Sequence, residues 1–86
     1  KRVGRDRFLR NVLIAAGNSL DRALAPGIEP RLADANPLVR GAAVWALSRL
    51  LEGQVFEHLA DRHEPGEPDD DVLAEWTAAR RRVAGS

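Results

Sequence analysis

Apolar residues in this chain return at intervals of three and four, the period of a helix with one buried face. The clearest case runs from Asn36 to Leu50, where Val39, Ala42, Ala43, Ala46, Leu47 and Leu50 form the i, i+3, i+4, i+7, i+8, i+11 series. Asn36 is suited to accept from the free N–H groups of a first turn, and Pro37 fits the first helical position, where no donor is needed. Most of this face is alanine, which lets a neighbouring helix approach closely. Leu38, Val44 and Trp45 widen the apolar band beyond one stripe, as expected for an inner helix packed on two sides.

Two other segments repeat the pattern. Asp6, Asn36 and Asp69 each stand three residues before an aliphatic (Leu9, Val39, Val72), and each aliphatic is followed seven residues later by alanine (Ala16, Ala46, Ala79). The offsets are 30 and 33 residues, the period of stacked helical units. With Asp6 taken as its start, the first unit turns Phe8, Leu9, Val12, Leu13 and Ala16 inward and ends at Gly17-Asn18-Ser19.

A second helix is expected after Asp21 and toward Ala33, with Pro26, Gly27 and Pro30 in its path. An interior proline costs about 3 kcal/mol unless it falls in a first turn, so this helix is expected to be kinked or split. Beyond Gly53, a short helix from Gln54 to about Arg62 is expected to bury Val55, Phe56 and Leu59, with a loop from His63 to Pro68. A last helix follows the acidic run Asp69 to Asp71 and carries Arg80, Arg81 and Arg82 near its end, both placements suiting the helix dipole. Ala84 to Ser86 are expected to fray. The pattern thus predicts one all-α domain over residues 1–86, a short HEAT-like repeat of about five helices.

Composition narrows the function classes. At 86 residues, 44% hydrophobic and 30% charged, the chain is ordinary for one soluble globular domain. No apolar run approaches the roughly 20 residues that cross a bilayer, and no segment reads as a signal peptide, so the expected location is cytoplasmic with no membrane partner. Without cysteine this segment can hold neither a disulfide nor an iron–sulfur cluster.

Net charge is zero, but its layout is uneven. Lys1, Arg2, Arg5, Arg7 and Arg10 face only Asp6 at the amino end, whereas from Glu52 to Asp71 eight acidic residues face only Arg62. A basic approach to a helix suits a phosphate backbone, and arginine forks match phosphate geometry. Solvated charge is the plain alternative. Arg10 and Arg40 share one register position and are expected either to ladder with acidic groups such as Asp34 or to touch a ligand. Trp45 and Trp76 lie on or beside apolar faces and read as core. His58 with Asp61 and His63 with Glu64 do not make a preformed metal-ligand set, and Asp69 to Asp71 lacks the alternation and glycine of a calcium loop. No catalytic constellation is visible.

The string Lys1-Arg-Val-Gly-Arg-Asp-Arg-Phe-Leu-Arg-Asn-Val-Leu-Ile-Ala-Ala-Gly-Asn-Ser19, with Asn36-Pro-Leu-Val-Arg-Gly-Ala-Ala-Val-Trp-Ala-Leu47, resembles the carboxy-terminal HEAT-like domain of epoxyqueuosine reductases, an iron–sulfur protein family. The resemblance is strongest over these stretches and weaker after Gly53, where Glu75-Trp76 still fits. It implies a fragment of an oxidoreductase of queuosine biosynthesis whose cobalamin and two [4Fe-4S] clusters are held by other domains. The fragment would not be catalytic alone and would help present the tRNA anticodon stem-loop. Phosphate contact is carried to Lys1, Arg2, Arg5, Arg7 and Arg10, with Arg40 as the register equivalent of Arg10. One position departs from the family: the turn after the first helix often reads Ser-Gly-Asp, and here Leu20 replaces the glycine, implying strain if that turn needs a positive φ. The alternative expectation is a HEAT-like scaffold that binds a protein partner through its alanine-lined or acidic surface.

Overall fold

The computed structural model describes the backbone of residues 2–85 and the side chains of residues 4–85. The chain is all-α. Among the described residues five α-helices follow one another: α1 (Arg2–Ser19), α2 (Ala25–Ile28), α3 (Pro37–Leu50), α4 (Gly53–His63) and α5 (Asp70–Ala84). Short 3₁₀ turns occupy Arg22–Leu24, Glu29–Ala33 and Glu64–Gly66.

Helix α3 is the centre of the stack. It packs against α1 on one side and α5 on the other, while the Ala25–Ala33 segment packs against it and α4 lies chiefly against α5. Its start is fixed locally: the Asn36 side chain accepts from the Leu38 N–H at 2.8 Å, and Pro37 stands at the first helical position. Val39, Ala43, Val44, Ala46 and Leu47 are wholly buried. Leu38, by contrast, is 52% exposed, and Trp45 is half-buried against the core.

Helix α1 departs from expectation at its start and on its face. It begins at Arg2, a full turn before Asp6, so Asp6 is an interior residue and not a cap. Because α1 packs chiefly on α3, one stripe is covered: Asp6, Leu9, Leu13, Ala16 and Gly17. Phe8 and Val12 sit outside that stripe and are 66% and 45% exposed, where the sequence had both turned inward. Gly17 marks the closest approach, since a Cβ there would lie 2.5 Å from Trp45 Cζ3 and 3.1 Å from the Ala46 Cα.

The turn after α1 does need a positive φ, and Leu20 supplies it at 58°. Ser19 and Asp21 build the turn around it: the Ser19 hydroxyl donates to the Ala16 carbonyl and accepts from the Asp21 N–H, and Asp21 then caps the Arg22–Leu24 turn. The proline segment is split, as expected, but into three pieces. Pro26 and Pro30 each fall in the first turn of a new piece, so neither removes an interior bond. Ala25, Ile28 and Leu32 still face the core.

Past α3, the short helix extends one residue further at each end than expected, and Val55 is 48% exposed instead of buried, while Phe56, Leu59 and Ala60 are enclosed. Asp69 caps α5, accepting from the Asp71 and Val72 N–H groups. Trp76 is buried, with Phe56 tilted against it and His63 stacked on it at 6.5 Å between ring centroids. Ser86 lies outside the described residues.

Candidate functional site

Register equivalents become neighbours when helical units stack, and here they bond. The Asn36 amide donates to Asp6 Oδ2 at 2.6 Å, joining α1 to the head of α3. Asp6 is therefore buried with a partner, which is the condition for a carboxylate to sit inside. From this contact a polar network spreads along the amino ends of the stacked helices.

Arg5 is the first cation in it. Its guanidinium donates to Asp6 Oδ1 at 2.6 Å and to Asp34 Oδ1 at 2.7 Å, and these bonds, chiefly the one to Asp34, hold it more firmly protonated than a free arginine. Asp34 is enclosed, with 4% of its side chain exposed, and its other oxygen accepts from the Asn36 N–H at 3.0 Å. The Arg5 bond, against the opposing effect of burial, keeps the Asp34 carboxyl below the usual carboxylate range.

Arg40 is the second. Nε and Nη2 grip the two oxygens of Glu67 at 2.9 and 2.8 Å, a bidentate fork, while Nη1 donates to the Asp34 carbonyl at 2.8 Å. Only 13% of the Arg40 side chain and 6% of the Glu67 side chain is exposed. Glu67 also accepts from the Asp69 N–H, so this pair ties α3 to the residue that caps α5. The arginine thus ladders with an acidic group, but its carboxylate partner is Glu67, 27 residues away, and the group it takes from Asp34 is the backbone carbonyl.

The remaining basic candidates are placed differently. Arg7 and Arg10 stand one turn apart on α1, exposed, and neither meets a carboxylate among the described residues; Arg10 touches only Asn11, at 3.4 Å. Arg10 therefore does not share the environment of its register equivalent. Arg2 opens α1, its side chain lies outside the described residues, and so does the whole of Lys1.

A groove of about 550 Å³ opens between α1, α3 and α5. Ile14, Leu38, Gly41, Ala42 and Trp45 form much of its floor, Arg10 stands on the α1 side, and Asp69, Asp71 and Glu75 stand on the α5 side. Sequence reasoning did not see this groove, although the exposed Leu38 beside a row of small residues is its only linear trace. Trp45 is met in turn by Arg49, whose guanidinium lies 5.3 Å from the centre of the ring and whose Nε donates to the Gly17 carbonyl at 3.1 Å.

On α5, Arg80 gathers Glu57, Asp61 and Glu64, and is held protonated chiefly by Asp61. His58 is exposed, and among the described residues no three His, Asp or Glu side chains converge as metal ligands. No helix among the described residues is long and apolar enough to cross a membrane.

No protein-family model, curated protein or solved structure matches the chain. Its own geometry defines an all-α stack in which α1, α3 and α5 lie side by side and share one polar network.

Proposed function

We propose that the chain is a HEAT-like accessory domain that helps hold the anticodon stem-loop of a tRNA for an epoxyqueuosine reductase whose chemistry, with its cobalamin and iron–sulfur clusters, resides in other domains. The observation that carries this reading is the contrast among the arginines. Arg5 and Arg40 are occupied by Asp34, Asp6 and Glu67, whereas Arg7 and Arg10 stand free of carboxylates on the exposed side of α1. Unneutralised guanidinium groups one turn apart can reach successive phosphates, and the sequence places Lys1 and Arg2 just ahead of them. Arg5 and Arg40 then serve to hold α1 and α3 in place and not to meet RNA.

The test is salt-dependent binding of an anticodon stem-loop to the chain. Each phosphate neutralised contributes a slope of about 0.7 to 0.9 in log affinity against log salt. Arg7→Glu with Arg10→Glu should lower affinity and flatten the slope by roughly two contacts. An unchanged slope in that double variant would remove the assignment.

A further inference from the structure

The groove between α1, α3 and α5 does not share the character of the basic approach. Its lining carries one positive side chain, Arg10, against three negative ones, Asp69, Asp71 and Glu75. A phosphate backbone laid along it would meet those carboxylates at close range. The floor is apolar, and Leu38, a large aliphatic, is 52% exposed over it. A cavity of about 550 Å³ falls within the span of roughly 300 to 1,000 Å³ typical of ligand pockets.

Helix capping accounts for only part of the acidic side. Asp69 uses Oδ1 for both capping bonds, so its second oxygen is not used there. Asp71 has no ion pair among the described residues. Glu75 lies beyond the first turn of α5, where the dipole gives little reason for an acid, and its contact with Arg82 is a loose one at 3.5 Å.

We propose that this groove seats a segment of a partner protein bearing a large apolar side chain flanked by lysine or arginine. The apolar residue would cover Leu38, Ala42 and Trp45, and the basic flank would lie toward Asp71 and Glu75. Charge complementarity selects this occupant over an acidic peptide or a nucleic acid, since like charges brought together across an interface oppose binding. The proposal does not rest on the RNA reading. Reversing Asp71 and Glu75 interrogates the groove, whereas reversing Arg7 interrogates the basic approach.

The experiment uses the full chain and three labelled peptides: one with a central leucine pair flanked by lysine and arginine, the same peptide with glutamate flanks, and the basic peptide with serine replacing the leucines. Binding is read by fluorescence anisotropy, and the site by amide and indole shifts in ¹⁵N NMR spectra. The basic apolar peptide should bind and shift Leu38, Trp45 and Asp71. Asp71→Lys with Glu75→Lys should weaken it about tenfold, the combined effect of two lost attractions and two new repulsions. Leu38→Ser, a change at an exposed position, should weaken it without altering the far-ultraviolet circular dichroism. Equal binding of the glutamate peptide, no binding by any peptide, or shifts confined to α1 would each overturn the proposal. Shifts at Leu38 and Asp71 produced by an anticodon stem-loop, or by raising the concentration of the chain alone, would do so as well, because the occupant would then be RNA or a second copy.

Discussion

Arg40 is gripped by Glu67 within the stack, and its removal tests quantitatively how much that pair holds the fold. Arg40→Ala deletes the fork to Glu67 and the bond to the Asp34 carbonyl, and leaves the Glu67 carboxylate enclosed with only the Asp69 N–H as donor. Breaking a buried pair from one side costs about 3 to 5 kcal/mol, and the 13% residual exposure of Arg40 argues for the lower end. A chain of 86 residues has a total stability of roughly 4 to 13 kcal/mol, so about 3 kcal/mol is a large share of it. The melting temperature should fall by roughly 12 to 24 °C, at about 4 to 8 °C per kcal/mol for a domain of this size. Urea unfolding followed through the buried Trp76, for Arg40→Ala, Glu67→Ala and the double variant, gives the coupling directly. The double variant should be less destabilised than the sum of the singles, because removing both charges leaves no orphan. A single-variant cost under about 0.5 kcal/mol with no coupling would mean the pair behaves like an ordinary surface contact, and Arg40 would return to the list of free cations.

Two further outcomes follow from local geometry. Leu20→Gly should stabilise the fold by about 0.5 to 1 kcal/mol in thermal unfolding, the relief of left-handed strain at φ 58° less the added entropy of the unfolded chain; Leu20→Ala, which keeps the Cβ, should give no such gain. Asp34, whose carboxyl is depressed first by its bond from Arg5, contributes stability that is present above its unfolded pKa of about 3.9 and is lost as pH falls through the folded value. Urea midpoints measured from about pH 5 downward should therefore drop more steeply for the native chain than for Asp34→Asn, and parallel curves would contradict the assignment.

What the sequence made legible was local. Asn36 and Asp69 announce helix starts because a cap acts within three residues, and the prolines announce a break because each removes its own N–H. The expectation at Leu20 came instead through the resemblance, whose turn carries a glycine there, and the positive φ of Leu20 is what the structure adds. Asp6 misled because the residue type that caps a helix also serves as a buried acceptor, and only the stacked arrangement shows that its partner is Asn36. Periodicity placed Leu9, Leu13 and Ala16 on a covered face but could not say that the cover ends before Phe8 and Val12. The partner of Arg40 was not legible at all. Glu67 sits in a loop 27 residues away, and nothing in its neighbourhood marks it as the acid that will close on α3.

The polar network has an electrostatic consequence that net charge conceals. By pairing Arg5 and Arg40 with Asp6, Asp34 and Glu67, it offsets most of the charge in the middle of the stack, and it leaves Arg7 and Arg10 on α1 and Asp71 on α5 without ion pairs among the described residues. Helix α3 lies between them. A partner approaching the groove meets a field that changes sign across it, which favours one orientation over its reverse more than it raises overall attraction. Fields of this kind decay over roughly 8 Å at physiological salt, so the discrimination operates at contact distance and weakens as salt is added. If RNA meets α1 and a basic peptide meets the α5 wall, as proposed, charge reversals on α1 and on α5 should affect the two ligands in opposite senses.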